Sequence, residues 1–267
     1  MAIAILLQNT IDEEVTQDAL REQLHKDWPE LAQQHQLADD PEFTGDQQPG
    51  MAAFTYRDSG FLVKPIPVPF GQEPIEKRAA SSLWPNGADF NEQYQAHSLV
   101  MVANSESLSG VQKAELLSKV VASLVAISRE TFAVVWPASD QLIMPEVFRN
   151  VACSMLPDPL LPIWLNFSFG TQSSGNFAAA TVGLDRMDLM DLEMPESTKT
   201  PGETLDFLAG VADYLIRNGL VIKDGDTVGQ EEGERIIVRF APSMIQEGKM
   251  VIQLQEHQNS PERASGS

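Results

Sequence analysis

Between Leu161 and Glu196 the chain reads as three consecutive strands, and no other stretch limits the fold so strongly. Ile163, Leu165, Phe167 and Phe169 alternate with Trp164, Asn166 and Ser168, the period-2 pattern of a strand with two unlike faces. Gly170–Gly175 is a polar loop, and Phe177–Leu184 is a second run. Asp185–Arg186 then turns the chain into Met187–Met194, where Leu189 and Leu192 break strict alternation.

The flanking segments supply more strands and a few helices. Met1–Gln8 reads as a buried strand, and Thr10 with Glu13 forms a capping box opening a helix over Asp12–Trp28. Met51–Tyr56 and Phe61–Val68 make a hairpin around Asp58-Ser59-Gly60. Its second arm carries Pro65, Pro67 and Pro69, which cannot donate to a ladder, so an edge position is expected. A helix over Glu73–Ser82 ends near the turn Trp84-Pro85-Asn86-Gly87. Tyr94–Ala103 and Phe132–Trp136 are strands around a helix over Ser109–Ile127, whose wide apolar stripe implies deep burial. Pro145–Met155 is a short helix stopped by Pro157 and Pro159. Thr200-Pro201-Gly202-Glu203 opens another helix, capped by Asn218-Gly219, and Ile236–Phe240 pairs with Met250–Leu254.

The fold class is therefore α+β: mostly antiparallel strands in one or two sheets, with the helices Ser109–Ile127 and Glu203–Arg217 packed on one face. The expected organisation is a strand–helix at 1–32, a Gln-, Asp- and Pro-rich linker at 33–50, a core at 51–257 and a disordered tail at 258–267. A strand pair followed by helix and strand occurs in Met51–Ala103 and again in Asn176–Phe240. This suggests a weak duplication with pseudo-repeats 51–156 and 161–257, although residue identity between them is negligible.

Charge is the unusual feature of the composition: 38 acidic against 18 basic residues give a net charge of −20. Such a field repels nucleic acid and anionic membrane and attracts basic proteins or cations. Solubility alone accounts for it equally well. The lone Cys153 cannot form an internal disulfide, and no apolar run approaches the length of a membrane span, so a cytoplasmic protein is expected.

Several segments together resemble DUF4261, a bacterial family of unknown function. They are the strand around His97 in YQAHSLVMVA with the helix that follows it, then FAVVWP, LPIWLNFSF, TVGLDRMDLMDLEMPES, LDFLAGVADYLIRNG and VIKDGDTVG. The resemblance runs over Tyr94–Leu254 and is strongest at Thr181–Leu184 with Leu192–Glu193 and at Asp224–Gly229. Arg186–Met187–Asp188 departs from the family's Phe-Gly step at that place. The family implies no established activity; domains of this broad kind near toxin and secretion loci imply an immunity or adaptor role.

The sharpest chemical feature is the acidic cluster Asp185, Asp188, Asp191, Glu193 and Glu196, interleaved with Met187, Met190 and Met194. On a strand, Asp191 and Glu193 share a face and Asp188 takes the other. Two carboxylates on one face suit a hard cation or an acid–base pair. They equally suit a solvated edge strand, where charge prevents edge-to-edge association. A Met-rich acidic ridge also suits an adaptable contact surface.

Other candidates fall short. Lys223–Gly229 begins like a calcium loop but has Val228 and Arg235 where ligands belong, so a tight turn is expected. His25, His35, His97 and His257 lie far apart with no zinc-ligand spacing. Cys153 reads as a buried structural thiol. Trp84, Trp136 and Trp164 read as packing residues. No nucleophile elbow or phosphate-binding glycine fingerprint occurs.

The sequence thus points to a non-enzymatic acidic module that binds a basic protein partner, with no cofactor, no nucleic acid and no membrane. Its contact residues would be Asp185, Met187, Asp188, Met190, Asp191, Glu193 and Glu196, and an immunity protein or secretion adaptor is the concrete form. The alternatives are a metal-dependent hydrolase using the Asp185–Glu196 carboxylates, and a subunit of a homo-oligomer.

Overall fold

A computed structural model describes residues 1–32, 37–39, 49–71, 83–84, 94–103, 106–172, 174–229 and 235–256. The expected helix Glu73–Ser82, the turn from Pro85 onward, most of the 33–50 linker and the 258–267 tail lie outside them. The chain forms two compact units. One comprises 1–166 with 183–188, the other 167–182 with 189–267.

In the first unit the strands are β1 (Ala2–Gln8), β2 (Leu37–Asp39), β3 (Ala52–Tyr56), β4 (Ser59–Ile66), β5 (Ala96–Val102), β6 (Thr131–Trp136) and β7 (Gln141–Ile143). They form one sheet in the order β2-β3-β4-β5-β1-β6-β7. β1 is a nearly unbroken apolar run and lies mid-sheet with Ala4–Gln8 buried, as expected of a strand covered on both faces. The helices are α1 (Gln17–Asp27), α2 (Pro29–Ala32), α3 (Gly110–Ile127), α4 (Pro145–Met155) and α5 (Leu161–Trp164).

α3 connects β5 to β6, which run parallel with the antiparallel β1 between them. Ser109 and Gln112 close a capping box at its start. More than one stripe of α3 is buried because α1, α4, β1 and β5 all pack on it. Trp28 Nε1 donates to Lys119 O and Ser123 Oγ, both at 3.1 Å. Arg149 grips Asp27 with two nitrogens at 2.8 Å.

Three local expectations are corrected in this unit. The first helix begins at Gln17, capped by Thr16, and not at Asp12. Asp12 is buried and accepts from Glu14 N, Ser128 Oγ, Arg129 N and Glu130 N, so its carboxylate satisfies a distant turn and holds its own segment out of the helix. β4 is internal, not an edge. Pro65 is tolerated because the β3 pairing ends at Val63, leaving that stretch with β5 alone. Leu161–Trp164 is a helical turn, not a strand. Pro162 favours helix entry, and the Pro162, Ile163 and Leu165 carbonyls accept from the Gln141 side chain.

The second unit contains β8 (Asn166–Thr171), β9 (Phe177–Val182), β10 (Leu192–Ser197), β11 (Thr227–Val228), β12 (Ile236–Pro242) and β13 (Met250–Glu256), in the order β11-β12-β13-β10-β9-β8. α6 (Pro201–Asn218) packs on β9 and β10. Thr200 and Glu203 cap its start, and Gly219, at φ +78°, follows its end. β10 and β13 are parallel, while the other pairs described are antiparallel. Lys223–Asp226 is a tight turn, with Gly225 at φ +89° and Asp226 N donating to Lys223 O. The protein is thus α+β.

Candidate functional site

The acidic cluster does not sit on one continuous strand. A 3-10 turn occupies Leu184–Met187, Asp188 is left-handed at φ +63°, and β10 starts only at Leu192. The predicted strand Met187–Met194 fails because this turn is packed into the first unit. A Cβ on Gly183 would run into Trp164 O, so only glycine allows that approach. Asp185, Met187 and Asp188 therefore belong to the first unit, and Met190, Asp191, Glu193 and Glu196 to the second.

Burial separates them further. Met187 and Met194 are core residues, and Met190 is half-buried. Asp185 is half-buried with Arg186 3.8 Å away, and Asp188 is exposed. Glu196 is exposed and accepts from Ser174 Oγ and Asn176 Nδ2. Met187, which the sequence offered as a contact residue, is thus inside the fold, as is Met194 further along the same stretch.

Asp191 and Glu193 are buried as well, at 1% and 3% exposure. They do face one feature together, the connection between β12 and β13. Glu193 accepts from Ser243 Oγ and from Met244 N at 3.0 Å. Asp191 accepts from Thr181 Oγ1 at 3.3 Å and from Gln246 Nε2 at 3.4 Å. Ser243 Oγ in turn accepts from Ile245 N and Gln246 N, and Ser243 N donates to Lys249 O. A buried carboxylate must be hydrogen-bonded to be tolerated, and here the partners are the loop itself.

The consequence is a loop fixed at its base that leaves its apolar side chains outward. Met244, Ile245 and Met250 are 60%, 56% and 53% exposed. Three large apolar side chains are thus exposed within seven residues of chain. Composition and periodicity missed this site because Met244 and Ile245 stand in a short polar stretch with no pattern. The signal was indirect: an isolated Met-Ile pair in a connection otherwise rich in Ser, Gln, Glu and Gly.

The remaining candidates carry no activated chemistry. His97 is buried, donates from Nδ1 to Val68 O at 2.8 Å and packs edge-on to Phe70. Cys153, expected inside, is exposed on α4; partial desolvation pushes its thiol up, with Arg149 opposing and Asp27 adding, so it is poor as a nucleophile. Trp136 and Trp164 are core residues. Among the described residues, no three His, Cys, Asp or Glu side chains gather as a metal site. No helix among them is long and apolar enough to cross a membrane.

Residues 180–255 match the family model of a domain of unknown function, DUF4261. The resemblance read over Tyr94–Leu254 is thus shown for its C-terminal part. The DUF4261 match spans β10, α6, β12 and most of β13, and with them Asp191, Glu193 and the loop they brace. No curated protein and no solved structure matches the chain.

Proposed function

We propose that the chain is a non-enzymatic binding protein for a basic protein partner, with the loop from Ser243 to Met250 as its apolar anchor. The observation that carries this reading is the bonding of Glu193. Its carboxylate accepts from Ser243 and Met244, and so holds Met244 and Ile245 out to solvent. A catalytic carboxylate needs its oxygens turned towards a substrate or a cation, and this one is turned towards its own loop.

The net charge of −20 supplies the long-range part. A field of that size speeds encounter with a basic surface, while a few desolvated apolar side chains supply most of the affinity. A bacterial immunity protein or secretion adaptor working in the cytoplasm is the concrete form of the reading. A second copy of the chain is the competing occupant, and sedimentation at two concentrations separates the two.

Affinity capture on the full chain from its native host, at low salt, is the test. The reading expects a basic protein that is retained at low ionic strength and released by salt. Recovery of no basic protein, or of one that salt does not release, argues against it.

A further inference from the structure

The first unit holds a cavity of about 240 Å³ between the start of β1, α3 and the 183–188 turn. Its walls are mostly apolar, with Leu117 and Ala114 from α3, the rings of Trp136 and Trp164, and Met187. Arg186 is the one charged side chain among the lining residues, and it is 65% exposed. Arg186 Nε lies 3.8 Å from Asp185 Oδ2, beyond hydrogen-bond range. Among the described residues its terminal guanidinium nitrogens make no hydrogen bond.

Both the size and the lining matter. An apolar cavity of roughly 150 Å³ stays dry and takes up benzene. One larger by half has room for a single ring with a short alkyl tether. A planar guanidinium at the rim matches a carboxylate with two parallel N–H donors. From the cavity and the Arg186 guanidinium at its rim we infer a binding site for a small arylalkyl monocarboxylate, its ring against Trp136 and Trp164 and its carboxylate on Arg186. The site lies outside the residues of the proposed docking loop and stands independently of that reading.

The position of Arg186 explains why the rest of the acidic turn does not forbid an anion. Asp185 and Asp188 flank it in sequence, but Asp188 is engaged by Gly110 N at 2.9 Å. Asp185 approaches Arg186 at Nε, which leaves the two terminal nitrogens as donors to a carboxylate.

The test uses the full chain, isotope-labelled, with 3-phenylpropanoate as probe and 3-phenylpropan-1-ol and 3-phenylpropylammonium as its neutral and cationic counterparts. The expected result is saturable movement of the Trp136 and Trp164 indole N–H signals with the carboxylate. The alcohol should bind about tenfold more weakly and the ammonium not at all, the loss of one charge-assisted contact. Arg186→Gln, at an exposed position, should lower carboxylate affinity by about tenfold and leave the alcohol unchanged. Ala114→Leu should fill the cavity and abolish both. The inference is overturned if neither indole signal moves at millimolar probe, if the alcohol binds as tightly as the carboxylate, or if Arg186→Gln binds like the wild type. Should Ala114→Leu not fold, the probe series and Arg186→Gln still decide.

Discussion

Asp188 Oδ2 accepts the backbone N–H of Gly110 at 2.9 Å, at the first turn of α3. The residue before it explains the glycine: a Cβ on Gly110 would lie 2.6 Å from Met187 Cα. A negative side chain at a helix N-terminus satisfies an otherwise orphaned donor and complements the dipole. One member of the acidic cluster is thus a helix cap, reached by a turn that leaves the second unit's sheet between β9 and β10.

Gly110→Ala should destabilise the first unit by about 1–3 kcal/mol, the range for forcing atoms into a packed site. Asp188→Ala should cost about 1 kcal/mol through the lost cap and the unfavourable left-handed φ. Asp188→Asn tolerates that backbone and should cost less. Urea unfolding of the three variants gives the order directly, and an Asp188→Ala protein as stable as the wild type would contradict the capping role.

Glu193→Gln should loosen the 243–249 loop. It removes a charged acceptor from the Ser243 hydroxyl and the Met244 amide, a loss of roughly 1–3 kcal/mol. Hydrogen exchange should accelerate at Met244, Ile245 and Gln246 while β1 and α3 keep their protection. Because both carboxylates already face protein donors, millimolar Mg²⁺ or Ca²⁺ should leave the melting temperature where it is.

The Asp27–Arg149 pair predicts an acid limb of stability. Burial by itself raises the Asp27 carboxyl, but hydrogen bonds from Arg149, Gln23 and Ser123 and the Arg149 charge together outweigh it and hold it below its ordinary value. A carboxyl depressed in the folded state contributes stability above its unfolded pKa and loses it as pH falls through the folded one. Asp27→Asn should therefore destabilise by about 2 kcal/mol at pH 7, a figure reduced from the fully buried case because Arg149 is partly exposed. The difference from wild type should shrink as pH falls below about 4, the ordinary carboxylate range. Denaturant midpoints across pH 2–7 test this.

Lys119 carries the opposite sign. Burial lowers its ammonium pKa, but hydrogen bonds and charge from Glu115 and Glu30 more than offset that and leave it raised. Its contribution is complete below the unfolded lysine value of about 10.4 and is lost as pH rises through the folded one. Lys119→Met should therefore differ most from wild type at neutral pH and converge with it as pH rises through the raised folded-state value.

Much of the fold was legible because period and capping agree. The Ser109–Ile127 helix, the Thr200–Glu203 capping box and the closing hairpin all stand where spacing and turn chemistry put them. Misreadings came where a side chain distant in sequence decides a local conformation. Asp12 serves the 128–130 turn and delays α1, and Gln141 takes the carbonyls of Pro162, Ile163 and Leu165. No window of sequence contains both partners in either case. The acidic stretch shows the same limit at the candidate site. Asp191 precedes β10, and that it and Glu193 meet Gln246 and Ser243 depends on a loop fifty residues on.

The central claim is that this loop is a docking surface braced from beneath. Capture at low salt with wild type, with Met244→Ser/Ile245→Ser and with Glu193→Gln as bait measures it most directly. The account predicts that a basic protein retained by the wild type is lost from the loop double variant and weakened in Glu193→Gln, at unchanged secondary structure. Equal retention of that protein by the wild type and the Met244→Ser/Ile245→Ser variant would contradict it.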